Sequence, residues 1–161
     1  MIPRAHLQNE NKHSTTGSAE VCSVRLGQSL FGLPIRHILE IVGSVRPQAV
    51  PLAPDFVGGI VHYRGDVLTT VSLRFLLGLP PLDAPQAILV LESPSGPFGL
   101  LVDSVVEVVT LSEADLEPNP STLGDGRKNL FTGAYKLKNN LLVMLDPEGL
   151  DLLRLSTAQP A

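Results

Sequence analysis

Short apolar–polar alternations run through the chain, and no long helical stripe interrupts them. Cys22, Val24 and Leu26 alternate with Ser23 and Arg25, which predicts a half-buried strand. Gly27-Gln28-Ser29 turns the chain, and Leu30 to Leu33 is predicted to return. Ile35, Ile38, Leu39 and Val42 have helical spacing, so a short helix or turn is expected to precede a strand here. Gly59 to Tyr63 and Asp66 to Val71 flank a tight Arg64-Gly65 turn. Leu73, Leu76 and Leu77 fit one or two helical turns, stopped by Gly78 and Pro80-Pro81.

The second half repeats the style. Ala87 to Glu92 reads as a strand, Ser93 to Pro97 as a turn, and Phe98 to Val102 as the returning strand. Val105 to Thr110 follows, and Ser112 with Asp115 three residues on resembles a helix N-cap. Pro118 to Asn129 reads as a loop. Leu130 to Leu137 and Leu141 to Leu145 make a hairpin across Lys138-Asn139-Asn140. Asp146 is expected to cap a final helix, with Pro147 first and Leu150 and Leu153 facing inward.

About ten short strands in two clusters imply a mostly-β protein built as two small barrels. The 14 Gly and 14 Pro, spread at short intervals, agree with that and disallow long helices. Residues 1–19 are polar and are expected to form a disordered leader, and residues 156–161 a similar tail. The folded region is then 20–155.

With 43% hydrophobic and 17% charged residues, the chain can bury a real core. The net charge is −4 and its 12 Lys and Arg are scattered, which disfavours nucleic acid. No apolar run reaches the ~20 residues of a membrane-spanning helix, so no direct membrane insertion is expected. The single Cys22 cannot form an internal disulfide, and a cytoplasmic setting is expected. The charge is uneven. From Phe75 to Gly126 there are eight acidic residues and no Lys or Arg, so the remainder of the chain is net +4 (−4 minus −8).

Catalytic chemistry is sparsely supplied. His6, His13, His37 and His62 have no metal-site spacing, and no metal or cofactor is expected. Gly124-Asp125-Gly126-Arg127-Lys128 lacks the phosphate-loop pattern, and no G-x-S-x-G occurs. Ser72, His62 and Asp66 could be imagined as a triad, but proximity in sequence does not supply triad geometry. The simplest reading of the residues alone is a binding module.

One ordered set of segments goes further. Phe31-Gly32-Leu33-Pro34-Ile35, Ile38-Leu39-Glu40-Ile41, Pro51, Gly59 to Gly65, Leu73-Arg74 and Leu77-Gly78-Leu79 are followed by Phe98 to Val105 with Glu107-Val108. Pro118-Asn119-Pro120, Thr132-Gly133 and Leu145-Asp146 complete it. Over about residues 20–155 this set resembles the CheW family of bacterial chemotaxis coupling proteins. The resemblance implies two five-stranded SH3-like barrel subdomains sharing a core, with short helices including one at the C-terminus, and no catalysis. It implies subdomains of about 33–79 and of about 20–32 plus 87–155.

The implied partners are the regulatory domain of a CheA-type histidine kinase and the cytoplasmic tip of a chemoreceptor. The implied receptor-binding positions are Ile38, Glu40, Gly59, Arg64, Gly65 and Gly99. Arg64 is expected to pair with Glu40 or with a receptor carboxylate. Asp103 and Glu107 match a family segment and read as the polar edge of a hairpin. Thr69 and Ser72 stand where family members carry Pro and Asp, which weakens the expected cap or ion pair near Arg74. This leaves an alternative: an adaptor of a non-flagellar chemosensory system, such as pilus-driven motility, or an array partner that does not bind kinase.

Overall fold

Each predicted alternation forms a strand in the computed structural model, which describes residues 17–120 and 130–158. The strands are β1 (Ser18–Leu26), β2 (Ser29–Pro34), β3 (Ile38–Val45), β4 (Val57–Tyr63) and β5 (Asp66–Ser72), followed by β6 (Gln86–Leu91), β7 (Phe98–Val102), β8 (Ser104–Ser112), β9 (Phe131–Lys136) and β10 (Leu141–Leu145). Among the described residues, helix is confined to α1 (Leu73–Leu76), α2 (Leu152–Ala158) and the 3-10 turns Ile35–His37, Glu113–Asp115 and Pro147–Leu150.

Two five-stranded sheets result, ordered β8-β1-β2-β10-β9 and β3-β6-β7-β5-β4. They share one wiring. In each, a hairpin (β1–β2 or β6–β7) has a third strand antiparallel on one side, and on the other its second strand pairs parallel with the last strand of another hairpin. The chain is thus a five-strand pattern used twice, with the opening hairpins exchanged. Phe31-Gly32-Leu33 and Phe98-Gly99-Leu100 hold equivalent places in β2 and β7.

One part of the expected division is corrected. Residues 86–102 join β3–β5 and not the sheet of β8–β10, to which the entering hairpin Ser18–Pro34 belongs. The deciding contacts are the parallel pairings β5–β7 and β2–β10, which link distant residues and leave no local signature.

Both sheets curl until their edges meet. Gln48, just past β3, exchanges two hydrogen bonds with Ile60 of β4, at 2.9 and 2.8 Å. Glu117, past β8, exchanges two with Ala134 of β9, both 2.9 Å. Glycine is required at each closure. Gly59 (φ +125°) and Gly133 (φ +149°) lie against the Gln48 and Glu117 carbonyls, where a Cβ would collide.

Three apolar cores follow among the described residues. One fills the second barrel with Leu68, Ile88, Val90 and Leu101, flanked by Val42, Val61 and Tyr63. Another fills the first with Val21, Leu30, Tyr135, Leu142 and Met144. The largest lies between them and takes Cys22, Val24, Leu26, Phe31 and Leu33 from one sheet and Val71, Leu89, Leu91, Phe98 and Leu100 from the other. Strand β1 is therefore buried on both faces from Val21 to Val24, more deeply than alternation suggests.

Smaller corrections concern ends. β1 begins at Ser18, within the expected leader, and α2 continues to Ala158, into the expected tail. Asp146 caps only the 3-10 turn, accepting from the Glu148 N–H at 3.0 Å. Leu150 is buried, but Leu153 is 58% exposed and Leu155 takes the inward place. Ser112 makes no side-chain cap to its 3-10 turn. The expected Gly124–Lys128 loop feature lies outside the described residues.

Candidate functional site

The Arg64-Gly65 turn joins Tyr63 of β4 to Asp66 of β5 directly. Both turn residues have positive φ, +52° for Arg64 and +83° for Gly65. That is the conformation of a two-residue hairpin turn whose twist matches its strands. Gly65 adopts it freely. Arg64 does so at a steric cost of about 1–2 kcal/mol.

Its side chain has a specific destination. Arg64 donates to Glu40 Oε1 from Nη2 at 2.6 Å and from Nε at 3.0 Å. The Tyr63 hydroxyl donates to the same oxygen at 3.1 Å and accepts from Arg64 Nε at 3.1 Å. The guanidinium also lies over the Tyr63 ring, 5.4 Å from its centroid. Glu40 belongs to β3 and Arg64 follows β4, the two opposite edges of one sheet. The cluster thus laces the barrel shut at its rim. The Arg64 and Tyr63 hydrogen bonds hold the Glu40 carboxyl below the usual carboxylate range.

The cluster is also open to water, the Arg64 side chain being 71% exposed. Below it on the same barrel, Val45, Gln48, Ile60, Val61, His62 and Val67 line a cleft of about 440 Å³. Val67, 62% exposed, gives its edge an apolar contact.

Only part of the six-residue expectation gathers here. Glu40, Arg64 and Gly65 come together, with Tyr63 as an unforeseen fourth member. Ile38 turns away, because a β-bulge separates it from Glu40: Ile38 faces Leu91 and the shared core, while Glu40 faces Val90. Gly59 and Gly99 are buried. Gly59 seats the Gln48 backbone, and a Cβ on Gly99 would lie 2.7 Å from Ile88 Cγ2 inside the barrel. These two glycines permit internal packing and offer no surface for a partner helix to approach.

A second ion pair was not foreseen. Arg74 Nε and Nη2 donate to Asp103 Oδ1 and Oδ2, both at 2.8 Å, and Nη1 donates to the Pro80 carbonyl at 2.6 Å. The Gly27 N–H donates to Asp103 Oδ2 at 2.8 Å. Asp103 is therefore no mere hairpin edge. Arg74, with the Gly27 N–H second, pulls its carboxyl below the ordinary range against the opposing effect of burial. Ser72 still caps α1, its Oγ accepting from the Phe75 N–H at 3.1 Å. Ser72 thus still supplies a cap, and Arg74 finds its ion pair at Asp103.

The acidic stretch is partly compensated across the fold. Asp103 pairs with Arg74, Glu117 with Lys136 at 3.2 Å, and Asp83 with Arg46 at 3.4 Å. Asp125 lies outside the described residues. Among the described residues, no three His, Cys, Asp or Glu side chains gather as a metal site, and no helix is long and apolar enough to cross a membrane.

A family model described as the CheW-like domain matches residues 20–152. The chain belongs to the CheW family. It is 29% identical over 142 residues to the chemotaxis protein CheW of Rhizobium meliloti (strain 1021), covering 87% of this chain and 92% of that one. It is 31% identical over 125 residues to the chemotaxis protein CheW of Helicobacter pylori (strain ATCC 700392 / 26695), covering 76% and 75%. The crystal structure of the scaffolding protein TtCheW from Thermoanaerobacter tengcongensis superposes with a TM-score of 0.73 at 25% identity, covering 82% of this chain and 91% of that chain. As a CheW-family chain it is a non-catalytic chemotaxis scaffold, and its geometry is to be understood as contact surface.

Proposed function

We propose that this CheW-family chain couples chemoreceptors to a CheA-type histidine kinase, with the Glu40–Tyr63–Arg64 rim as part of its receptor face. The observation that carries this reading is the cost borne at Arg64. A bulky residue is held in a left-handed turn so that a guanidinium stays fixed, exposed and half-neutralised at a barrel rim. Asn or Gly would suit the turn better. The guanidinium gives a receptor carboxylate a pre-oriented donor, and Gly65, with open space around it, lets a helix come close. Glu40 keeps the donor in place in the unbound state.

Kinase binding is assigned to a different face, so one chain holds both partners at once in the cytoplasm beneath the membrane. Each patch buries about 800 Å² per partner or less. The alternative of a non-flagellar system draws on the replacements at Thr69 and Ser72; at the second of these, Ser72 still caps α1 and Arg74 pairs with Asp103. The test is association with the cognate kinase regulatory domain by calorimetry. A complex at tens of micromolar or tighter is expected, and no detectable complex would overturn the coupling role.

A further inference from the structure

The doubled five-strand pattern gives every residue at one barrel junction a counterpart at the other. Phe31 lies opposite Val24, and Phe98 opposite Leu91. Val24 then faces Val105, and Leu91 faces Ile38. Ile38 is therefore the counterpart of Val105, and two residues earlier Arg36 is the counterpart of Asp103. The caps give a second alignment. Ser72 at the end of β5 and Asp146 just past β10 each cap the turn that follows, and two residues beyond them stand Arg74 and Glu148.

The pair Arg74–Asp103 thus maps onto Glu148–Arg36 with the charges exchanged. At the first crossover between barrels the pair is closed, with both contacts at 2.8 Å. At the second, Arg36 and Glu148 are exposed and line one open cleft of about 590 Å³. Among the described residues, no ion pair joins them. The β6–β7 turn at Ser93 and Pro94 forms its wall, as the β1–β2 turn at Gly27 abuts the first pair. His37, Glu92 and Asp151 also face the space, and Asp151 Oδ1 already accepts from Ser95 Oγ at 3.1 Å.

We propose that Arg36 and Glu148 are a second, switchable clasp: Arg36 closes across this cleft onto Glu148 and pins the second crossover as Arg74 and Asp103 pin the first. Exposure makes the closed pair weak, so open and closed forms exchange readily and a group seated in the cleft selects the open one. The fold then has one fixed joint and one adjustable joint between its barrels. This holds whichever partners the chain binds.

The test is the Arg36 Nε–Hε resonance in the nitrogen-15-labelled full chain. It is expected displaced from the free-arginine position at low salt and to return towards it at high salt. Glu148→Gln should abolish the displacement, while Glu92→Gln and Asp151→Asn leave it. The double exchange Arg36→Glu with Glu148→Arg should restore a displaced, salt-sensitive guanidinium signal. A resonance at the free-arginine position in the unaltered protein would overturn the proposal. So would one that responds to Glu92→Gln or Asp151→Asn and not to Glu148→Gln. Both clasp residues are on the surface, so the variants should fold.

Discussion

Arg74 grips Asp103 through two parallel 2.8 Å hydrogen bonds at the single residue between β7 and β8, where the chain leaves one barrel for the other. The side chains are only 12% and 16% exposed, and Asp103 also anchors the β1–β2 turn through Gly27. The pair therefore joins three parts of the fold that are far apart in sequence.

Breaking it should be costly, because the remaining charge is left in a partly dry site. Arg74→Ala or Asp103→Asn is expected to destabilise the chain by about 2–3 kcal/mol, read as a shift in the urea midpoint with unchanged slope. The pH dependence has a definite sign. The folded carboxyl is depressed, so its stabilisation is complete above the unfolded pKa of about 3.9 and is lost as pH falls through the lower folded value. Asp103→Asn should flatten the stability profile in that acid window. An unchanged profile would show that Asp103 is not held as described.

Gly59 and Gly99 provide a sharper distinction between packing and recognition. Gly99→Ala overfills the barrel against Ile88 and is expected to cost about 1–3 kcal/mol. Gly59→Ala adds backbone strain at φ +125° to a collision with the Gln48 carbonyl and should cost at least as much. Thermal or urea unfolding measures both. Variants of normal stability that had lost partner binding would return these glycines to the contact surface.

Local pattern made most of the strands legible, because alternation and Gly or Pro punctuation act over a few residues. Arg64-Gly65 and the Asn-rich turn after Leu137 were readable for that reason, and so was the pairing of Arg64 with Glu40, on the family resemblance. The place of β6–β7 in the sheet of β3–β5 was not readable. It depends on parallel pairing between β5 and β7, such as Thr70 with Gly99, which no local pattern announces. Phe31-Gly32-Leu33 and Phe98-Gly99-Leu100 hold equivalent places in the two barrels, and their glycines are internal because each meets side chains of its own barrel. Ile38 was misplaced by a bulge that no sequence pattern announces. Tyr63 was missed because its hydroxyl finds Glu40 only after the sheet closes.

Arg64→Asn should separate stability from function. Asn relaxes the left-handed turn, so the fold is expected to keep its stability or gain up to about 1 kcal/mol. Receptor binding should nevertheless fall sharply. A variant that is both stable and fully active would mean that the guanidinium is not part of the receptor face.

Tyr63→Phe removes one of the two donors holding the Glu40 carboxyl down. The Glu40 titration midpoint, followed by carbon-13 resonance, should rise towards the ordinary carboxylate value and remain partly depressed by Arg64. No movement would mean that the phenol bond does not persist in solution.

The coupling claim is tested most directly by sedimenting receptor cytoplasmic fragments with kinase, in the presence and absence of this chain. Kinase should sediment with receptor only when the chain is added, and Arg64→Asn should keep the chain on the kinase while releasing both from the receptor. Equal sedimentation of kinase with and without the chain would contradict the account.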